Sequence, residues 1–159
     1  MSVTHNLEAG QRPDNDAGYL EMMTMVIFMG GLNRQVVEGK WEGFLDAFEK
    51  FAPGKVADFT EEDVERLSED ERIIRYSAKI KAVVKNARTM VDLAGEHGSF
   101  GQWLRALLQS EGVDGACKTL AKTFSYVSEA SAKRYLYAVG EDVGEVSDQV
   151  IKKYGARSV

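Results

Sequence analysis

Apolar positions recur at helical spacing along most of the chain. The strongest case is Arg72 to Val91, where Ile73, Ile80, Val83, Val84, Ala87, Met90 and Val91 fall mostly on one face. Arg75, Lys79, Lys81, Lys85 and Arg88 supply the other side, and no acid interrupts them before Asp92. The pattern predicts a long helix buried on one side. Its basic face is either solvated or held against phosphate. From Gly18 to Glu38 the chain is apolar all round, predicting a helix buried on more than one face. Gly30-Gly31 inside it weakens a helix by about 1 kcal/mol per glycine relative to alanine. Such a pair marks a kink or a close approach, and close helix packing is the simpler reading.

The remaining elements follow from the same spacing and from local stop signals. Lys40 to Phe51 carries Trp41, Phe44, Leu45, Phe48 and Phe51 as one stripe, a helix with a core face that Pro53-Gly54 ends. Thr60 caps a short helix with Glu61, Glu62 and Asp63 in its first turn, ending at Leu67. Gly98 suits a left-handed cap on the basic helix, and Ser99 with Gln102 forms a capping box for the next. Trp103, Leu104, Leu107 and Leu108 are that helix's apolar side, and Gln109 to Gly112 reads as a loop. Asp114 then caps a helix from Gly115 to Phe124, and Ser125 to Ser128 is a tight connection. Further helices run from Glu129 to Val139 and from Val143 to Tyr154. Met1 to Asp16 lacks periodicity and reads as a flexible leader, with residues 17–159 as a single helical domain. About eight helices and no strand pattern make the fold class all-α.

Composition narrows the chemistry. The 159 residues carry 44% hydrophobic and 28% charged side chains with two prolines, which suits a helical globular protein. Net charge is −5, so nucleic-acid binding requires a local basic patch. Cys117 is the sole cysteine, which excludes an internal disulfide and a cysteine-based zinc cluster. His5 and His97 lack partners at ligand spacing, so no metal is expected. No apolar run is long enough to span a bilayer, and residues 1–15 hold no signal-peptide core, so the expected location is cytoplasmic. Neither a nucleophile elbow nor a glycine-rich phosphate loop is present.

One longer pattern carries more. A-F-E-K-F-A-P-G-K-V-A-D-F-T-E-E-D-V-E-R-L is followed by I-I-R-Y-S-A-K-I-K-A-V-V-K-N-A-R and then G-S-F-G-Q-W-L. In order, spacing and residue type, about sixty residues from Phe44 to Leu104 resemble the middle of DNA-3-methyladenine glycosylase I. Upstream, M-G-G-L-N-R at Met29 to Arg34 stands where that family has Q-A-G-L-S-W. Downstream, L-A-K-T-F-S-Y-V-S-E-A-S-A-K-R-Y-L-Y-A-V-G is similar to its helix–hairpin–helix region. The resemblance implies the all-α helix–hairpin–helix DNA glycosylase fold. It also implies binding of duplex DNA, extrusion of a methylated adenine and cleavage of its N-glycosidic bond.

The resemblance also locates candidate residues, several of them altered. Val26 stands in register with the family's base-recognising glutamate, and Arg34 with a tryptophan wall, so the base pocket comprises Val26, Gly30, Gly31, Leu32 and Arg34. The family's hairpin glycine is missing from Tyr126-Val127-Ser128-Glu129, leaving Lys118, Lys122, Ser128, Ser131, Lys133 and Arg134 as the DNA contacts. The family's late N-D-H appears as Ser147-Asp148-Gln149, and its zinc ligands have no counterpart, so no cofactor is expected. Relatives in the wider superfamily use an aspartate shortly after the hairpin. Asp148 is the nearest carboxylate to that register, with Glu21 and Tyr19 as weaker candidates. Tyr76 replaces an asparagine of the family motif and is either a core residue or a stacking surface for a base. Two readings stand at this point. One is a divergent N-glycosylase removing an alkylated base in base-excision repair. The other is a non-catalytic relative that keeps the fold as a DNA- or protein-binding module.

Overall fold

The computed structural model describes residues 10–154, with no strand among them. Nine α-helices follow in order: α1 Asp16–Met29, α2 Arg34–Glu38, α3 Trp41–Ala47, α4 Pro53–Ala57, α5 Glu61–Ser68, α6 Ser77–His97, α7 Phe100–Thr123, α8 Glu129–Ala138 and α9 Asp148–Tyr154. A short 3-10 turn, Glu49–Phe51, separates α3 from α4.

Helix α1 is the centre. Every residue from Gly18 to Met29 is buried, as its unbroken apolar sequence predicts. Asn15 caps it by accepting from the Gly18 N–H at 3.1 Å. Helices α6, α7 and α8 pack around it with α2, α4 and the 3-10 turn. Asp16 accepts from the Phe100 N–H at 3.1 Å and ties the start of α1 to the start of α7. Residues 1–9 of the expected leader lie outside the described residues. From Gly10 the chain is anchored: the Gly10 N–H donates to the Ala138 carbonyl at 3.0 Å, and Arg12 pairs with Glu141 at 3.5 Å.

Several boundaries differ from expectation, each for a tertiary reason. The basic helix starts at Ser77, not Arg72, because Asp70 and Asp46 hold the Arg72 guanidinium in the preceding turn. Residues 18–38 form two helices, broken at Gly30-Gly31. Pro53 opens α4 at its first turn, where a proline's missing N–H costs nothing. The last helix begins only at Asp148. The expected loop at Gln109 to Gly112 shrinks to one residue, since α7 runs to Thr123 with only Gly112 out of helical geometry, at φ 72 and ψ −178.

That backbone region is open almost solely to glycine. Gly112→Ala is therefore expected to lower unfolding free energy by about 1–3 kcal/mol in urea titrations. Gly95, inside α6 with open space where a Cβ would lie, is the contrast: Gly95→Ala should stabilise by about 0.4–1 kcal/mol. Equal effects at the two positions would overturn this account.

The aromatic stripe from Trp41 to Phe51 is not one helix. Helix α3 stops at Ala47, and Glu49, Lys50 and Phe51 all take positive φ. This left-handed turn folds Phe51 back, with its ring stacked on Trp41 at 5.5 Å and 10°. On a continuous helix those residues would stand about 15 Å apart. Burial of the stacked rings offsets the strained turn, since Trp41, Phe44, Phe48 and Phe51 are all fully buried.

The α1–α8 contact carries a pH signature. The Tyr135 hydroxyl donates to the Tyr19 carbonyl at 2.9 Å, and burial pushes the Tyr135 phenol well above its ordinary value of 10.0. Burial raises the Tyr19 phenol too, opposed by Arg105. A folded pKa above the unfolded one contributes stability that is complete below the unfolded value and lost as pH rises beyond it. Melting temperature should therefore fall steeply above about pH 10. Tyr135→Phe should flatten that fall while losing about 1 kcal/mol at neutral pH with the hydrogen bond. An unchanged alkaline slope in melts would contradict the assignment.

Candidate nucleic-acid interface

The turn between α1 and α2 builds the first part of the site. Gly31 takes φ +82, and a Cβ there would meet nothing within 4 Å. The pair is thus a turn required by dihedral angle, and the expected close helix packing is not found at Gly31. Asn33 caps α2 by accepting from the Val36 N–H at 2.9 Å. Lys79, in the first turn of α6, donates to the Gly30 carbonyl at 3.0 Å. Its ammonium also lies 5.7 Å from the Phe28 ring centre and 5.2 Å from that of Tyr76. This buried cation locks the end of α1 to the start of α6.

A pocket of about 680 Å³ opens beside this turn, lined by residues 31–35 and by Gln149 and Lys152 of α9. Of the expected pocket residues, Gly31, Leu32 and Arg34 line it. Val26 does not: it is 5% exposed and packs in the core with Met25, Phe28 and Met29. Gly30 does not either, and its carbonyl is held by Lys79. Arg34 forms an ion pair with Glu38 one helical turn on. Sequence reasoning missed Asn33, Gln35, Gln149 and Lys152, and set Lys79 on the solvated or phosphate-facing side of the basic helix, whereas it is buried against Gly30. A local signal existed only for Asn33, a cap residue before α2.

The candidate carboxylates separate clearly. Asp148 is exposed in the first turn of α9, next to the pocket-lining Gln149. Glu21 is buried in the core and accepts from Trp41 Nε1 at 2.9 Å. Tyr19 is also buried, its ring edge-on to Phe100 at 5.2 Å. Neither Glu21 nor Tyr19 lines the pocket.

The α7–α8 hairpin forms the second part. Asn86 of α6, 1% exposed, clamps it with both ends of its amide: Nδ2 donates to the Ser125 carbonyl at 3.0 Å, and Oδ1 accepts from the Ser125 N–H at 2.7 Å. Tyr126 follows at φ 62, a left-handed conformation that glycine adopts at less cost. Ser128 and Ser131 form a reciprocal cap, Ser131 N–H to Ser128 Oγ at 3.0 Å and Ser128 N–H to Ser131 Oγ at 2.8 Å. Both hydroxyls thus serve the α8 terminus rather than standing free for phosphate. Lys118, Lys122 and Lys133 are exposed around the hairpin, while Arg134 is half-buried. Tyr76 is not a core residue: it is 49% exposed and meets Tyr126 edge-on at 6.4 Å.

The basic face of α6 has a different setting. Arg88 donates to the Ala57 and Phe59 carbonyls at 2.9 and 2.7 Å. Lys81, Lys85 and Arg88 border a groove of about 820 Å³ whose other wall carries Glu61, Glu65 and Glu69. Carboxylates across the groove offset the positive potential that a phosphate would need.

The zinc implied by the resemblance finds no donor set among the described residues. Cys117 is buried on α7, its thiol pushed up first by burial and then by Asp114. His97 is exposed at the end of α6, 3.7 Å from Glu96. No three His, Cys, Asp or Glu side chains converge among the described residues, and His5 lies outside them. The residues present do not fit the group.

A sequence profile for the family described as methyladenine glycosylase matches residues 1–140. The chain belongs to the methyladenine glycosylase family. Over 89 residues it is 37% identical to DNA-3-methyladenine glycosylase 1 of Escherichia coli K12, covering 56% of this chain and 48% of that protein. Over 101 residues it is 30% identical to DNA-3-methyladenine glycosylase of Haemophilus influenzae, covering 62% and 55%. The chain thus spans about half the length of the curated relatives it matches. A crystal structure of 3-methyladenine DNA glycosylase I superposes with a TM-score of 0.75 at 26% identity, over 86% of this chain and 85% of that one. A variant of the same enzyme type in complex with 3-methyladenine superposes at 0.77 and 21% identity, over 91% and 87%, a likeness of fold alone. The all-α fold is therefore that of the 3-methyladenine glycosylase I structures. Val26, which the resemblance sets in register with the family's base-recognising glutamate, lies in the core. No described helix is long and apolar enough to cross a membrane.

Proposed function

We propose that this methyladenine glycosylase family member is a DNA N-glycosylase that excises an alkylated base in base-excision repair. One observation carries the reading. The pocket at the α1–α2 turn is linked to the hairpin through Lys79, Tyr76 and Tyr126, which supports a base socket and a DNA-facing hairpin working together. Lys118, Lys122, Lys133 and Arg134 would neutralise backbone phosphates, with Ser128 and Ser131 shaping the α8 terminus between them. An extruded base would enter beside Gly31 and Leu32, where Gln35 and Gln149 offer amide donors and acceptors.

Val26 cannot hydrogen-bond a base, so recognition passes to these amides and to shape. A purine alkylated on a ring nitrogen is already cationic, so its glycosidic bond breaks with release of a neutral base. The protein then needs chiefly to hold the base out of the stack and to stabilise the sugar cation. Asp148, exposed and adjoining the pocket-lining Gln149 in the chain, would meet that cation or orient the attacking water. The chain would work without a metal, in the cytoplasm, on duplex DNA.

The test is release of free bases from duplex DNA treated with a methylating agent, identified by mass. Methylated purine above the no-protein control is the expected outcome, and Asp148→Asn should then cut the rate by about a hundredfold. Gel shifts at two salt concentrations should show tighter binding at the lower salt. Absence of both release and binding, with an active relative as positive control, would refute the reading.

A further inference from the structure

Most large apolar and aromatic side chains of this protein are buried, but Tyr76 and Tyr126 are each 49% exposed and stand together. Tyr76 is the residue just before α6, and Tyr126 lies in the hairpin. Their rings meet edge-to-face at 6.4 Å and 76°. The Lys79 ammonium lies 5.2 Å from the Tyr76 ring centre, which fixes that ring from the protein side. Asn86 holds the backbone ahead of the other by gripping both backbone groups of Ser125, the residue before Tyr126.

The pair therefore has the two properties of a stacking platform: exposed aromatic surface and little freedom to move. Core burial does not account for it, because each residue is about half exposed. Nor does backbone geometry favour tyrosine in the hairpin, since φ 62 suits glycine. Tyr76 adjoins Lys79, which holds the Gly30 carbonyl beside the pocket, and Tyr126 belongs to the hairpin.

A flat, π-rich group attached to an anionic chain matches this setting. We propose that Tyr76 and Tyr126 form a stacking site for an unpaired nucleobase of the DNA, distinct from the pocket that would take the excised base. The site rests on the glycosylase reading, because extruding one base leaves another without its partner. Stacking that orphan on the tyrosines holds the duplex open and leaves the pocket free for the damaged base.

Two duplexes test it, one perfectly paired and one carrying a 2-aminopurine opposite an abasic analogue. The wild-type chain should quench the 2-aminopurine emission on binding. Tyr76→Ala and Tyr126→Gly should each abolish the quench and weaken binding to this duplex by about tenfold more than binding to the paired duplex. Tyr126→Gly removes the ring while easing the left-handed backbone, so its melting temperature should not fall. No quench by the wild type, or equal weakening on both duplexes, would overturn the stacking site. Release of methylated purines by a chain that fails these criteria would leave the glycosylase reading standing. Failure to bind either duplex would remove both.

Discussion

Trp41→Ala is expected to cost about 3–5 kcal/mol of unfolding free energy, a large share of what a domain of this size has. Trp41 is fully buried, with Phe44 stacked at 4.7 Å and Phe51 at 5.5 Å. Truncation removes the buried ring area and leaves a cavity between two rings that cannot close onto each other without moving the left-handed turn. It also removes the donor at 2.9 Å from the buried Glu21 carboxylate. Trp41→Phe separates these contributions: it keeps a ring in the stack and loses only the indole N–H, at about 1.5–3 kcal/mol. Urea titrations can be followed by the remaining tryptophan, Trp103. A loss below about 1 kcal/mol for the alanine variant would mean the stack does not hold α3 to α1.

Asn86→Ala should loosen the hairpin, costing about 2–4 kcal/mol, because it strands both backbone groups of Ser125 at a part-buried site. The expected signature is regional. Amide exchange should accelerate at Ser125 and Tyr126, and duplex-DNA affinity should fall even where the protein remains folded. Asn86→Asp keeps an acceptor for the Ser125 N–H but offers the carbonyl no donor, so it should be intermediate or worse, according to how well the buried charge is solvated. Full affinity in the alanine variant would show that the clamp serves stability alone.

How much of this was legible follows from the range of each interaction. The caps at Thr60 and Ser99 stand where local chemistry put them, because a side chain and an N–H three residues away decide them, although Ser99 accepts from the Gln102 N–H without the reciprocal bond of the expected capping box. Gly98 does close α6, but at φ 94 and ψ −46 rather than as a left-handed helical cap. The buried α1 was legible from its all-round apolar composition. The aromatic stripe misled: its spacing fits a helix, and nothing local announces three successive left-handed residues. Of the candidate pocket, Gly31, Leu32 and Arg34 came from the family register, whereas Val26 was drawn in by register and proved to face the core. Gln149 and Lys152 were invisible because they reach the pocket from the far end of the chain.

The sequence by itself determined the helical class, most helix termini and the family, since these depend on residue type and on spacing within a few turns. Only the tertiary structure decided that Lys79 holds Gly30 and that Asn86 holds the hairpin, across sequence separations of 49 and 39 residues. It also turned Tyr76 outward beside Tyr126. Such pairings follow from how the helices pack around α1. Packing satisfies buried polar groups with whatever partner the fold brings within reach, and no periodicity along the chain records that choice.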